Sequence, residues 1–127
     1  AFAEQSFFNE IATELGTDHP RLIIDLLQNV KGVKDERIQY APERMEETIN
    51  LVIKKSNWGK TSEGIYQGFS AYYSHNTHVA EVADIVLKDG LPVVKKVTVA
   101  VDCGIVVNPL GAKNQVEGGV VALEASW

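Results

Sequence analysis

With 127 residues, 45% of them apolar and 23% charged, the chain can form one domain that buries about two-thirds of the surface its unfolded form exposes. Its net charge of −5 comes from acids scattered rather than blocked. That disfavours a phosphate-backbone partner, which needs a basic stripe, and no apolar run approaches the roughly 20 residues that span a bilayer.

The first sixty residues carry helical periodicity. Phe7, Phe8, Ile11, Ala12 and Leu15 recur at helical spacing, with Gly16 as the stop. Thr17-Asp18-His19-Pro20 reads as the turn into a second helix, because Pro20 in a first helical turn loses no hydrogen bond. Leu22, Ile23, Leu26, Leu27 and Val30 form its apolar stripe, closed by Gly32. A polar connector from Val33 to Tyr40 leads to Pro42 and a third helix. There Glu43, Glu46 and Glu47 sit near the start and Lys54 and Lys55 near the end, each sign matched to the helix dipole. Met45, Ile49, Val52 and Ile53 give it a face to bury, and Trp58-Gly59 ends it.

Beyond Ser62-Glu63-Gly64 the period becomes strand-like. Strands are expected over Gln67 to Ser74, Val79 to Leu87 and Val93 to Val101. The last two are joined by Asp89-Gly90, a pair suited to the positive φ angles of a two-residue hairpin turn. On the last strand Val93, Val97, Val99 and Val101 are expected on one face, opposite Lys96, Thr98 and Asp102. Asn108-Pro109 then caps a final helix whose stripe is Ala112, Val116, Gly119, Val120 and Leu123, with Trp127 in register. The expected fold is α+β: N-terminal helices packed on a small, mainly antiparallel sheet built on the 79–101 hairpin, with a C-terminal helix and no linker between units.

The chemistry-bearing residues are few. Gln115 stands one turn before the adjacent pair Gly118-Gly119. Each glycine costs a helix interior roughly 1 kcal/mol relative to Ala. Two readings follow from that spacing. The glycines allow close helix–sheet packing, or they open the backbone to something that the Gln115 amide, both donor and acceptor, would also meet. Glu117 projects away from the apolar stripe, toward water or a cap. His75 and His78, placed on a strand, would point to opposite faces and make poor metal ligands. Cys103, the single cysteine, closes no internal disulfide and is expected to be a buried small hydrophobe. Asp102 is expected to bond loop amides, with general-base work as the alternative. No glycine-rich phosphate loop and no nucleophile elbow is present.

Taken together, Val79-Ala80-Glu81-Val82-Ala83, the hairpin, Val101-Asp102-Cys103-Gly104, Val107-Asn108-Pro109 and Gln115-Val116-Glu117-Gly118-Gly119 resemble the molybdopterin-binding large subunit of the xanthine dehydrogenase/aldehyde oxidase family, in particular its isoquinoline 1-oxidoreductase type. Residues 3–12 are similar to the helix that follows that family's glycine-rich active-site loop. The resemblance implies a molybdenum hydroxylase, which places water-derived oxygen on an N-heterocycle or aldehyde carbon and passes electrons to an iron–sulfur small subunit. It implies that Gln115, with Gly118 and Gly119, lies against the pterin of a molybdenum–molybdopterin cofactor. No catalytic residue and no metal ligand is carried over, because the family's catalytic glutamate and glycine-rich loop have no counterpart in these residues. Where the family continues with a Gly-Leu pair, this sequence has Val120-Val121, and Ser74-His75-Asn76-Thr77-His78 also departs from the family's small and aromatic segment.

The first residue is Ala and the single Met is Met45, inside a helical pattern. A piece of a larger subunit is therefore expected, binding no cofactor and inactive without the remaining segments of its parent. The alternative from a different class is a non-catalytic α+β module that binds a partner or scaffolds a complex.

Overall fold

The structure, a computed structural model, describes residues 2–33 and 40–124. Among them the order is α1 (Phe2–Glu14), α2 (His19–Val30), α3 (Pro42–Ser56), β1 (Tyr66–Ser74), β2 (Thr77–Lys88), β3 (Leu91–Asp102) and α4 (Pro109–Glu124). The three strands form one antiparallel sheet in the order β1-β2-β3. This is the expected α+β arrangement, with helices at both ends of the chain.

The helix boundaries follow from local chemistry. Asp18 caps α2 by accepting from the Arg21 N–H at 2.9 Å, with Pro20 in the first turn. α3 begins at Pro42 and ends at Asn57, which adopts the left-handed conformation at φ 52. Asp89 and Gly90, at φ 53 and 77, make the expected turn between β2 and β3. A second turn of the same kind joins β1 to β2 through His75 and Asn76, at φ 48 and 59. His75 is therefore a turn residue and not a strand residue as expected, and the opposite-face argument does not apply to it. Asn tolerates the left-handed region well enough to permit the turn.

One face of the sheet carries the core. Ala71, Ala80 and Ala100 stand side by side across the three strands, a shallow trough that admits the large side chains of α3. Met45, Ile49 and Val52 fill it, with Leu27 of α2 and with Phe69 and Val82 at its border. Ile49 and Val52 are wholly buried, each worth about 1.5–3 kcal/mol of transfer free energy. Gln67 ties the far end of α3 to the sheet, accepting from the Gly59 N–H and donating to the Ser56 carbonyl and the Asp84 carboxylate at 2.9–3.1 Å.

Two apolar stripes are only half used. On α1, Ala12 is buried, but Phe7 and, just past the helix end, Leu15 are exposed; on α2, Leu22 and Leu27 are buried while Leu26 and Val30 face outward. α1 packs on α2 and reaches β1 where the Gln5 amide oxygen accepts from the Ala71 N–H at 3.2 Å, so only one side of it is covered. The Val33–Tyr40 connector falls largely on residues 34–39, outside the described residues, as does Trp127.

β3 departs from simple alternation. Asp84 faces Lys96 but Ile85 faces Val94, so Lys95 has no partner on β2. This bulge changes the side on which the next residues project. Val94, not Val93, therefore shares the face of Val97, Val99 and Val101.

Candidate functional site

α4 opens with a complete cap. The Asn108 side-chain oxygen accepts from the Gly111 N–H at 3.0 Å, its carbonyl accepts from the Ala112 N–H at 3.0 Å, and Pro109 fills the first helical position. A Cβ on Gly111 would lie 3.0 Å from the Asn108 amide nitrogen, so this glycine has a local reason. For Gly118 and Gly119 no such reason is seen: among the described residues, a Cβ built on either meets nothing within 4 Å. The reading in which they admit close helix–sheet packing is not what the structure shows within this chain. Gln115, Gly118 and Gly119 are all exposed on α4. Glu117 faces solvent and pairs with Lys113 at 3.6 Å.

α4 itself is lightly held. Ala112, Val116 and Val120 are half-buried, in line with the expected stripe, whereas Gly119 is exposed. Leu110 and Val121 are also exposed. Val120 reaches an open groove of about 780 Å³ on the sheet face opposite α3, floored by Ala83, Ile85, Val94 and Val97. Within that groove the Ser70 hydroxyl donates to Glu81 at 2.9 Å, which satisfies the polar groups among the valines.

A second constellation lies where α3 meets the strand ends. Arg44 holds Asp102 by two parallel bonds, Nε to Oδ2 at 2.7 Å and Nη2 to Oδ1 at 2.5 Å. The Gly104 N–H adds a third to Oδ1 at 3.1 Å, as expected for a residue bonding loop amides. These hydrogen bonds, led by the Arg44 guanidinium, bring the Asp102 carboxyl down to about 2. A carboxylate so strongly committed to its charged form is a poor proton acceptor, which removes the general-base reading. Cys103, next in sequence, is exposed and not the buried residue expected. The strand ends at Asp102, so the thiol falls in the turn outside the sheet.

His78, opposite Asp102 in the sheet, is wholly buried. Its ring packs against Tyr73 and Tyr40 at centroid separations of 4.8 and 5.4 Å. Nε2 accepts from the Ala41 N–H at 3.2 Å. Nδ1 has no hydrogen-bond partner, although the Asp102 backbone acts weakly in favour of the charged ring. Burial dominates and lowers the His78 pKa, helped by Arg44. His19 is similarly buried between Phe8 and Phe69 with Nε2 unpaired, and burial lowers its pKa as well. Among the described residues no group of three or more His, Cys, Asp or Glu could hold a metal ion, and no helix is long and apolar enough to cross a membrane.

Sequence reasoning did not anticipate the Arg44–Asp102 pair or the enclosure of His78. Those residues are 58 and 37 positions from their partners on α3 and before it, and no local spacing reports such a contact.

The family model of the molybdopterin cofactor-binding domain matches residues 22–122. The chain belongs to this family. The match takes in most of α2, all of α3 and the sheet, and Gln115, Gly118 and Gly119 on α4, while residues 3–12 on α1 lie outside it. No curated protein and no solved structure matches the chain significantly. α4 carries an exposed amide able to donate and accept, beside two glycines on which an added Cβ meets nothing within 4 Å among the described residues.

Proposed function

We propose that this molybdopterin cofactor-binding domain is part of the large subunit of a molybdenum hydroxylase of the xanthine dehydrogenase/aldehyde oxidase family, of the isoquinoline 1-oxidoreductase type. Residues 1–127 make one α+β unit of that subunit. Gln115 contributes a hydrogen-bonding amide to the pterin wall, and Gly118 and Gly119 leave room for the ring system to approach the α4 backbone. The observation that carries this reading is the open space over both glycines. A helix that gives up stability at two adjacent positions, with no contact among the described residues to gain from them, suits contact with something outside it.

The cofactor, when bound, supplies the redox chemistry that transfers water-derived oxygen to an electron-poor heterocycle or aldehyde carbon. What this chain supplies is positional: an oriented amide and a bare stretch of helix backbone, mounted on a capped helix beside an apolar sheet face. Catalytic residues come from other segments of the parent, electrons leave through an iron–sulfur small subunit, and this unit alone is inactive.

The test is cofactor content in the full-length parent. Gln115→Ala and Gly119→Val are each expected to lower molybdenum and pterin per polypeptide about tenfold, the loss of one good hydrogen bond or of close contact. Both variants would keep the wild-type circular dichroism. Unchanged molybdenum and pterin in both would sink the assignment.

A further inference from the structure

We propose that His78 is an acid-sensitive latch: its neutral ring holds the first turn of α3 against the ends of β2 and β3, and protonation releases that turn. This inference stands on the geometry of α3 and holds whether or not α4 meets a pterin.

The latch has two adjacent links. In the first, His78 Nε2 accepts from the main-chain N–H of Ala41, the residue that caps α3. Ala41 offers no side chain to cap the helix, and an imidazole from β2 instead takes the N–H of that cap residue from across the core. In the second, Arg44 reaches one turn further along to grip Asp102 on β3. Since His78 and Asp102 face each other in the sheet, the two links close on the same spot.

Only one protonation state of the ring fits. A nitrogen that accepts an N–H carries no proton, so the neutral ring must hold its proton on Nδ1. Adding a second proton turns Nε2 into a donor aimed at another donor, the Ala41 N–H. The new charge would also lie at the positive end of the α3 dipole and inside a cage with no access to water. The groups that face the ring are Tyr40 from the segment before α3, Arg44 from α3, Tyr73 from β1 and Asp102 from β3. Arg44 opposes the charge, and Asp102 favours it but is already committed to Arg44 and Gly104.

The sign follows. A histidine whose pKa is lower in the closed form than the ordinary 6.5 binds its proton preferentially when the turn is open. The closed form is fully favoured above about pH 6.5 and loses ground below it. Opening the turn frees Arg44 too, and with it Asp102 at the head of the segment that leads to α4.

Amide hydrogen exchange and imidazole nitrogen shifts, both by NMR on the intact chain, test the idea. At pH 7.5 the His78 ring is expected as the Nδ1–H tautomer. The protection factor of the Ala41 amide, corrected for intrinsic exchange, is expected to fall about tenfold between pH 7.5 and 5.5, and to stay below that of Val52 in mid-helix throughout. In His78→Gln, where an amide oxygen can accept the same N–H without titrating, the fall should vanish. The proposal is overturned by an Nε2–H tautomer, by Ala41 protection that does not change with pH, or by Ala41 and Val52 exchanging at one common rate. The same tenfold fall in a folded His78→Gln chain would also overturn it. If that variant fails to fold, the wild-type tautomer and Ala41 titration decide the matter alone.

Discussion

Each single residue of interest makes a different kind of demand on the chain. Gly118 and Gly119 are costly to the helix, and an added Cβ at either meets no neighbour among the described residues. Gly118→Ala should therefore stabilise this chain by about 0.5–1 kcal/mol, read as a higher urea midpoint. A destabilised variant would mean that the helix needs its glycine. Asp102 makes an electrostatic demand. Its carboxyl titrates at about 2 against an ordinary 3.8, so between those values the unfolded chain binds more protons than the folded one, and stability rises with pH. The advantage of wild type over Asp102→Asn is accordingly full above about pH 4 and shrinks toward pH 2. Urea titrations at several pH values would show it; a constant gap contradicts the assignment. Gln115 drew notice because an amide beside paired glycines is unusual in a helix. Arg44 did not, because an arginine in the first turn of a helix looks like any solvated cation until its partner on β3 is known.

Among the elements, those with punctuation at both ends were readable and those defined by contact were not. Asp18 and Pro20 set the start of α2, Pro42 that of α3, Asp89-Gly90 the hairpin, and Asn108-Pro109 the start of α4. The turn at His75-Asn76 escaped, since it lacks glycine and depends on two residues that only tolerate positive φ. The α1 stripe escaped in the opposite sense. Its apolar residues have the right spacing, yet Phe7 and Leu15 find no neighbour to cover them. α4 stands apart from the other helices because, among the described residues, none of its side chains is fully buried. Its amides are expected to exchange with solvent well before those of α3, as elements with few buried contacts do. Equal protection across both helices would show that α4 is held far more firmly than its packing implies.

At the scale of the molecule, the sheet is clothed on one side and bare on the other. α2 and α3 cover the alanine trough, while the opposite face presents valines and a groove that α4 only borders. Stability thus rests on one core with Ile49 at 0% exposure near its centre. Ile49→Ala should cost about 2–5 kcal/mol, a large share of the 5–15 kcal/mol typical of a whole domain. Chemical denaturation will measure it, and a cost near zero would mean that the trough collapses to fill the void. That the fold class could be read from periodicity, while the bare face could not, has one cause. Periodicity tells which residues seek cover and is silent on whether this chain provides it.

The unpaired Lys95 in β3 reaches further than its effect on register. With the strand order β1-β2-β3, β3 presents a free edge of up to twelve residues rich in valine, a template onto which a second chain could add its own strand. The bulge bends that edge midway and sets a lysine at the bend, with Lys96 beside it. A straight incoming strand would lose its hydrogen-bond rhythm there and would have to strip water from an ammonium group. One inserted residue therefore makes a valine-rich border a poor template for strand addition, and deleting Lys95 is expected to raise the rate of aggregation, read by light scattering.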